Sequence, residues 1–338
     1  MTVKLGSVGA SVMKWLALSA TMANLLLSMA VSAASQDAKS FPHRPIHIVT
    51  PIAAGGNMDL SVRIFAERLA TILGKPVIVD NRPGAGSLIG IHAVLGAPAD
   101  GHTVLAMSNS FHLAPLLMKN RPYDPLKDFV GIGFINSVPL VLTVGSSKSD
   151  RTVQDLIARA RANPGTVSYA SGGIASSTHV PAALFALDAG LDLIHVLYKG
   201  NAPAMGDLIA GRIDFAFNTI TSSIAYLTQG QLRALAVSTK SRSDFLPNIP
   251  ALAEAGLPNY DQSLYTGLVV LAATPRDIVH RLHQALSEAS SSPEVVASIR
   301  RAGGDVIVTK SAEEFDAFLT QTAARYEGLI RRTGLKVE

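Results

Sequence analysis

Pro51-Ile52-Ala53-Ala54-Gly55-Gly56-Asn57-Met58-Asp59 decides the reading of this chain. It follows the apolar run Ile46-His47-Ile48-Val49 and precedes residues 60–73, where Ile64, Leu69 and Ile72 recur at a helical period. Asn81-Arg82-Pro83-Gly84-Ala85-Gly86-Ser87 repeats the arrangement after Val77-Ile78-Val79. Each is a glycine-rich turn between a strand and a helix. Glycine lets a ligand approach the backbone, and a helix N-terminus presents unpaired N–H groups and the positive end of a dipole. Two such turns can hold an anion without an arginine. Ser171-Gly172-Gly173-Ile174-Ala175-Ser176-Ser177-Thr178 is a third candidate, far along the chain. That spacing points to two lobes with a ligand between them.

Outward from these turns, strand-length apolar runs alternate with helical patterns, which argues for mostly parallel sheets covered by helices. Thr103–Met107 is a further short strand, and Val138–Val144 reads as a strand leaving the first lobe. The pattern then restarts. A helix over Thr152–Ala162 stops at Asn163-Pro164-Gly165, and Val167–Ala170 is a strand. A helix follows with Pro181 in its first turn. Leu193–Leu197, Ile213–Phe217 and Leu232–Val237 are strands, with a short helix at Ala202–Leu208. Leu264–Leu271 returns to the first lobe, and two helices, from Pro275 and from Ala312, close the chain.

The first 33 residues carry Lys4 and Lys14, no acid, an apolar core and the small residues Val31-Ser32-Ala33. This is the pattern of a secretory leader cleaved near Ala33, and its core is short for a membrane span. Removing it leaves 338 − 33 = 305 residues, enough for two lobes, and lowers the formal charge from +4 to +2. Such a balance gives no case for nucleic acid. With no cysteine, the chain has no disulfide, thiol nucleophile or cysteine-bound metal. An exported chain without disulfides fits a bacterial periplasm.

Further segments complete the picture: Phe41-Pro42-His43-Arg44-Pro45-Ile46, Pro98-Ala99-Asp100-Gly101-His102-Thr103, Tyr123-Asp124-Pro125-Leu126-Lys127-Asp128-Phe129 and Tyr169-Ala170-Ser171-Gly172. Later come His195-Val196-Leu197-Tyr198-Lys199-Gly200, Leu232-Arg233-Ala234-Leu235-Ala236-Val237 and Glu254-Ala255-Gly256-Leu257-Pro258. In this order the chain resembles the Bug family, the extracytoplasmic solute receptors of tripartite tricarboxylate transporters. The resemblance implies an α/β, two-lobed type II periplasmic-binding-protein fold, each lobe a mostly parallel sheet flanked by helices, with two crossover strands. The expected division is a leader at 1–33, a first lobe of 41–142 plus 266–338, and a second lobe of 143–265. The resemblance also implies a small carboxylate gripped by the two first-lobe turns and by hydroxyls and a polar side chain of the second lobe.

The expected ligand-binding residues are Gly55, Gly56, Asn57, Gly84, Ala85, Gly86, Ser87, Ser171, Ser176, Tyr198 and Asn218. Asn57 either donates to the ligand or caps the helix. Asp59 is a poor partner for a carboxylate and is expected to cap backbone N–H groups in the first turn. Ser176 shares its hydroxyl cluster with Ser171, Ser177 and Thr178, one of which must be a plain cap. Tyr198 is expected to line the cleft, while Arg63 and Arg82 are expected to pair at the surface. Several residues depart from the family pattern. Met58 stands for a hydroxyl residue, Ser87 for a glycine, Leu197 for a proline and Asn218 for an aspartate. Without that aspartate, an ammonium group on a ligand has no counter-charge.

These readings converge on a periplasmic solute receptor that closes around a small organic anion and docks on membrane permease subunits. It is expected to act as a monomer, to use no cofactor or metal and to do no covalent chemistry. Two rivals stay open. One is an exported α/β hydrolase: there is no G-x-S-x-G elbow and no H-E-x-x-H, but a Ser–His pair is not excluded by sequence. The other is the same receptor feeding a sensor kinase.

Overall fold

A computed structural model of the chain describes residues 41–118, 121–172, 176, 178–198 and 201–333. The expected leader lies outside them, as do Gly173, Ile174, Ala175, Ser177, Lys199 and Gly200 of the quoted motifs.

Strands β1 (Ile46–Thr50), β2 (Val77–Asn81) and β3 (Thr103–Met107) run parallel in the order β2-β1-β3. The apolar residues of β1 and β3 are largely buried, whereas β2 is the edge strand and leaves Ile78 exposed. A long strand, β4 (Phe129–Gly145), begins in this sheet and ends in another. Its first part pairs antiparallel with β9 (Ser263–Leu271), which in turn pairs antiparallel with β3. Its last part pairs with β7 (Phe215–Thr219) and β8 (Leu232–Val237). Beyond β7 lie β5 (Ser168–Ser171) and β6 (Ile194–Leu197), parallel to it. The two-residue β10 (Asp305–Val306) pairs with β4 at Asn136 and Ser137.

The sequence pattern starts the β4 strand at Val138, yet it starts at Phe129. Gly131 and Gly133 interrupt the apolar run before Val138. In the fold they sit at a register shift, where a Cβ at Gly131 would meet the Phe315 ring at 2.6 Å. Three helices also escape the sequence pattern: α3 (Ser110–Leu117), α7 (Ile220–Thr228) and α9 (Pro293–Arg301). The first carries Pro115 inside it, the second opens on hydroxyl residues, and the third lies between the two expected terminal helices.

The remaining helices fall where periodicity places them. They are α1 (Asn57–Leu73), α2 (Leu88–Leu95), α4 (Val153–Ala162), α5 (His179–Ala189), α6 (Asn201–Ile209), α8 (Arg276–Ser290) and α10 (Ala312–Thr333). In α1, Met58, Val62, Phe65, Leu69 and Leu73 are buried at three- and four-residue spacing, which is one helix face. At α4, Thr152 and Asp155 form a reciprocal capping box.

The cores follow the two sheets. One face of the first sheet packs against α1, α8 and α9, through Phe65, Leu282 and Ile299. Its other face packs against α2 and α10, through Ile91 and Phe315. The second core is built around Leu142, Phe185, Phe215 and Phe217. Tyr326 and Leu329 near the end of α10 join that second core, as does Leu113 of α3. The terminal helix therefore spans both sheets.

Pairing direction sets the arrangement that matters for function. Met107 at the end of β3 lies opposite Gly267, and Leu105 opposite Val269, so the ends of β1, β2 and β3 point along β4 toward the second sheet. Thr219 at the end of β7 lies opposite Leu140, and Ala216 opposite Thr143, so the ends of β5, β6 and β7 point back toward the first. The carboxyl ends of both parallel sets face each other. Ligands of open α/β sheets bind at such ends.

Candidate functional site

The two glycine turns lie side by side. Thr50 and Asn81, the last residues of β1 and β2, are register partners, and Arg82 N–H donates to the Thr50 carbonyl at 2.8 Å. Gly90 in α2 lets that helix touch the first turn: a Cβ there would lie 2.8 Å from Pro51 Cβ and 3.1 Å from the Arg82 carbonyl. Neither neighbour can swing away, since one is a ring and the other backbone. Gly90→Ala is therefore expected to push the turns apart. Titration calorimetry should show at least about a tenfold loss of ligand affinity, with about 1–3 kcal/mol lost in urea unfolding from overpacking. An unchanged affinity would mean that the turns need not adjoin.

Asp59 holds the two turns together. It is 2% exposed, and its Oδ2 accepts the Gly55 N–H at 2.8 Å. Its Oδ1 accepts Asn81 Nδ2 at 2.8 Å, and Arg63 Nε lies 3.1 Å from both oxygens. Arg63 also donates to Asn81 Oδ1 at 2.7 Å, and Asn81 Nδ2 reaches Thr50 Oγ1 at 2.7 Å. Burial pushes the Asp59 pKa up, but the bonds from Arg63, Gly55 and Asn81, with the Arg63 charge, outweigh it and hold the carboxyl below its ordinary range. The expectation that Asp59 caps the helix is corrected. It takes a loop N–H and ties two strands, and among the described residues no side chain caps α1. Arg63 belongs to this bracket as well as to the surface.

The bracket spends the Gly55 N–H. Among the described residues, none accepts from the N–H groups of Asn57 or Met58, which open the helix past the carboxyl end of β1. The Asn57 side chain neither caps nor stays free: its Nδ2 donates to the Ala302 carbonyl at 3.2 Å. In the second turn, Gly84 has φ +123°, Ala85 +48° and Ser87 +83°. The two non-glycine residues hold a left-handed backbone that favours glycine. Gly86 lies between them in the 3-10 turn Ala85–Ser87, and Ser87 N–H is spent on the Gly84 carbonyl at 3.0 Å.

Across from these turns, Ser171 ends β5 and is 2% exposed. Its Oγ lies 2.6 Å from His195 Nε2. That ring stacks on Tyr169, with centroids 4.9 Å apart, and on His179, 4.2 Å apart, and those two rings stack on each other at 6.2 Å. Burial lowers the pKa of His195, and burial with the neighbouring His195 lowers His179 to about 4. Both rings are neutral at pH 7. His195 is a neighbour of the site that sequence reasoning missed. Its only signal was its place three residues before Tyr198.

Three further expectations are redirected. Ser176 Oγ accepts the His179 N–H at 3.2 Å and lies 3.2 Å from Thr178 Oγ1, so its hydroxyl is engaged at the start of α5, whose N-cap residue is Thr178. The Tyr198 hydroxyl donates to Asp207 Oδ2 at 2.6 Å; burial and then that carboxylate raise its pKa to about 12. It braces β6 against α6 and leaves no hydroxyl proton for a ligand. Asn218 is 4% exposed and its Nδ2 donates to Thr143 Oγ1 at 3.0 Å. A buried amide needs its partners, and this one is fixed across the β4–β7 pair. A separate cavity of ≈ 210 Å³ lies on the α10 side of the crossover strands, lined by Ser137, Tyr265, Thr322 and Arg325 among others. It includes no residue of either glycine turn, so it is not where the strand ends converge.

This geometry can be set beside known proteins. Residues 61–335 match the tripartite tricarboxylate transporter family receptor. Protein BugT of Bordetella pertussis is 32% identical over 316 residues, covering 93% of this chain and 97% of that protein. The structure of Rpa4515 of R. palustris with adipate is 30% identical, with a TM-score of 0.75 over 88% of this chain and 99% of its own. MatC from Rhodopseudomonas palustris with bound malate is 25% identical, with a TM-score of 0.72 over 86% and 100%. The fold is thus that of the periplasmic binding proteins, and the rival hydrolase reading falls away, because the matched family is one of receptors. The chain belongs to the tripartite tricarboxylate transporter family of solute receptors.

Proposed function

We propose that this receptor captures a small carboxylate without an α-amino group between the facing strand ends, in the periplasm, and delivers it to the membrane components of its transporter. One observation carries the reading. The carboxyl ends of both parallel strand sets converge, and on the first side they present N–H groups of Asn57 and Met58 at a helix start. Backbone donors and a helix dipole suit an anion. Gly84, Ala85, Gly86 and Ser87 supply the adjoining turn, and Ser171, at the carboxyl end of β5, stands on the facing side. The relatives named with adipate and malate support the class of ligand. The acid-free leader at 1–33 supports export.

The preference against amines rests on the acids present. Asp59 is consumed by Gly55, Asn81 and Arg63, and position 218 is an asparagine. Burying an unpaired ammonium is costly. The test is calorimetric titration of the chain from residue 34 with succinate and with aspartate, after a thermal-shift screen of organic acids. Succinate-type ligands are expected to bind tighter. At a hundred times its Kd such a ligand adds about 2.7 kcal/mol of stability. Gly86→Asp places a carboxylate in the second turn and is expected to abolish binding while circular dichroism stays unchanged. Tighter binding of aspartate, or an unaltered affinity in that variant, would sink the proposal.

A further inference from the structure

The short loop Ala302-Gly303-Gly304, between α9 and β10, touches three parts of the molecule that the function requires to move or to bind. Ala302 offers its carbonyl to Asn57 Nδ2, and so to the first glycine turn. Gly304 packs on the crossover strand: a Cβ there would fall 2.8 Å from Asn136 Nδ2 and 3.0 Å from the Ser137 carbonyl. Asn136 itself is 1% exposed and donates to Ser61 of α1 at 3.0 Å, and the next two residues after the loop, Asp305 and Val306, pair with β4. The loop is thus built onto the first sheet and cannot shift alone.

Gly303 then meets the second sheet's side. It is buried, its φ is +83°, and a Cβ there would lie 1.9 Å from Thr221 Cγ2 and 3.1 Å from Thr221 Cβ. Thr221 is the second residue of α7, directly after the β7 end that faces the first sheet. Beside this contact, Arg300 Nη2 reaches Asp244 Oδ2 at 3.2 Å, in the connector after β8. That exposed pair is a weak tie. The glycine contact is a steric one, backbone against an exposed threonine, and turning that side chain does not relieve it in full, because Thr221 Cβ as well as Cγ2 lies inside ordinary contact.

We propose that Gly303 against Thr221 is the stop that sets how closely the two sheets approach, and through that separation selects the length of the ligand. The proposal rests on the cleft being the ligand site, but the stop has its own readout. The chain has no cysteine, so Thr71→Cys in α1 and Gln229→Cys after α7 take two spin labels cleanly. Gly303→Ala must move Thr221 away, by up to roughly 2 Å where its side chain keeps its rotamer, to reach ordinary carbon contact at ~3.5–4.0 Å.

The pulsed spin–spin distance is therefore expected to lengthen by up to that amount. Across unbranched dicarboxylates from malonate to adipate, Gly303→Ala should weaken the ligand the parent chain binds best by about tenfold or more, and shift the optimum to a longer homologue. Adding Thr221→Gly to Gly303→Ala removes the obstacle and should restore both the distance and the optimum. The left-handed backbone penalty of alanine at that position stays in the double variant and shows in urea unfolding instead, which separates strain from spacing. A lengthened distance in a chain that ignores every dicarboxylate keeps the stop and removes the carboxylate reading. An unchanged distance, or an unchanged order of affinities with the distance lengthened, overturns the proposal.

Discussion

Acidification from pH 7 to pH 4 is expected to remove on the order of 6 kcal/mol of folding stability, chiefly through His112 and His179. Each is 1% exposed, and each has its pKa lowered to about 4 from 6.5, His112 by burial alone and His179 by burial with His195 beside it. Among the described residues, neither ring nitrogen of His112 has a hydrogen-bond partner. The unfolded chain takes up these protons near pH 6.5, whereas the folded chain refuses them until pH 4. Stability therefore stands whole above pH 6.5 and falls as pH drops toward 4. A domain's total is only about 5–15 kcal/mol, so the loss approaches unfolding. The raised carboxyls of Asp305 and Asp316, where burial dominates, act in the opposite sense and offset part of it. The lowered Asp59, Asp100 and Asp214 add losses only below pH 3.8, the ordinary value from which they descend. Urea unfolding from pH 7 to 4.5 measures the slope. His112→Phe, which keeps a ring edge-on to Phe111, should remove about half of it, and adding His179→Phe most of the rest. A flat profile in the parent chain would mean that the buried rings are hydrated or paired.

Asp59→Ala carries the largest effect expected at the site. It deletes the acceptor of the Gly55 N–H, of Asn81 and of Arg63 in one step. Hydrogen bonds to a buried charge contribute about 1.5–3 kcal/mol each, but the half-exposed Arg63 rehydrates when freed. The net loss is expected near ~3 kcal/mol, read in urea at pH 7. Ligand affinity should fall at least about a hundredfold, because both turns lose their common anchor. Asp59→Asn keeps the shape and one acceptor, and should fall between the two. Wild-type affinity in Asp59→Ala would show that the turns hold their shape without the bracket. A stable protein with lost affinity would show the bracket to be a positioning device alone.

The sequence by itself determined a good deal here. Glycines at 55, 56, 84 and 86, set between apolar runs of strand length and helical periods, are local signals, and local geometry is what they specify. The capping box at Thr152 and the Gly190 stop of α5 belong to the same kind. The apolar periods likewise placed α1, α8 and α10. Side-chain direction was decided only by the tertiary structure. Asn57, Tyr198 and Asn218 are polar residues beside a cleft, and nothing local says whether they face a ligand or a neighbour. Their partners, Ala302, Asp207 and Thr143, stand at 245, 9 and 75 residues' separation, and only the closing of sheets and helices brings them near. Asp59 shows the same limit. Its helical position made a cap the local expectation, while the parallel pairing of Thr50 with Asn81 supplied better donors from another strand. The Gly303–Thr221 contact is the furthest case: a glycine at the end of one helix has a local use in any chain, and its role as a stop exists only where two sheets meet.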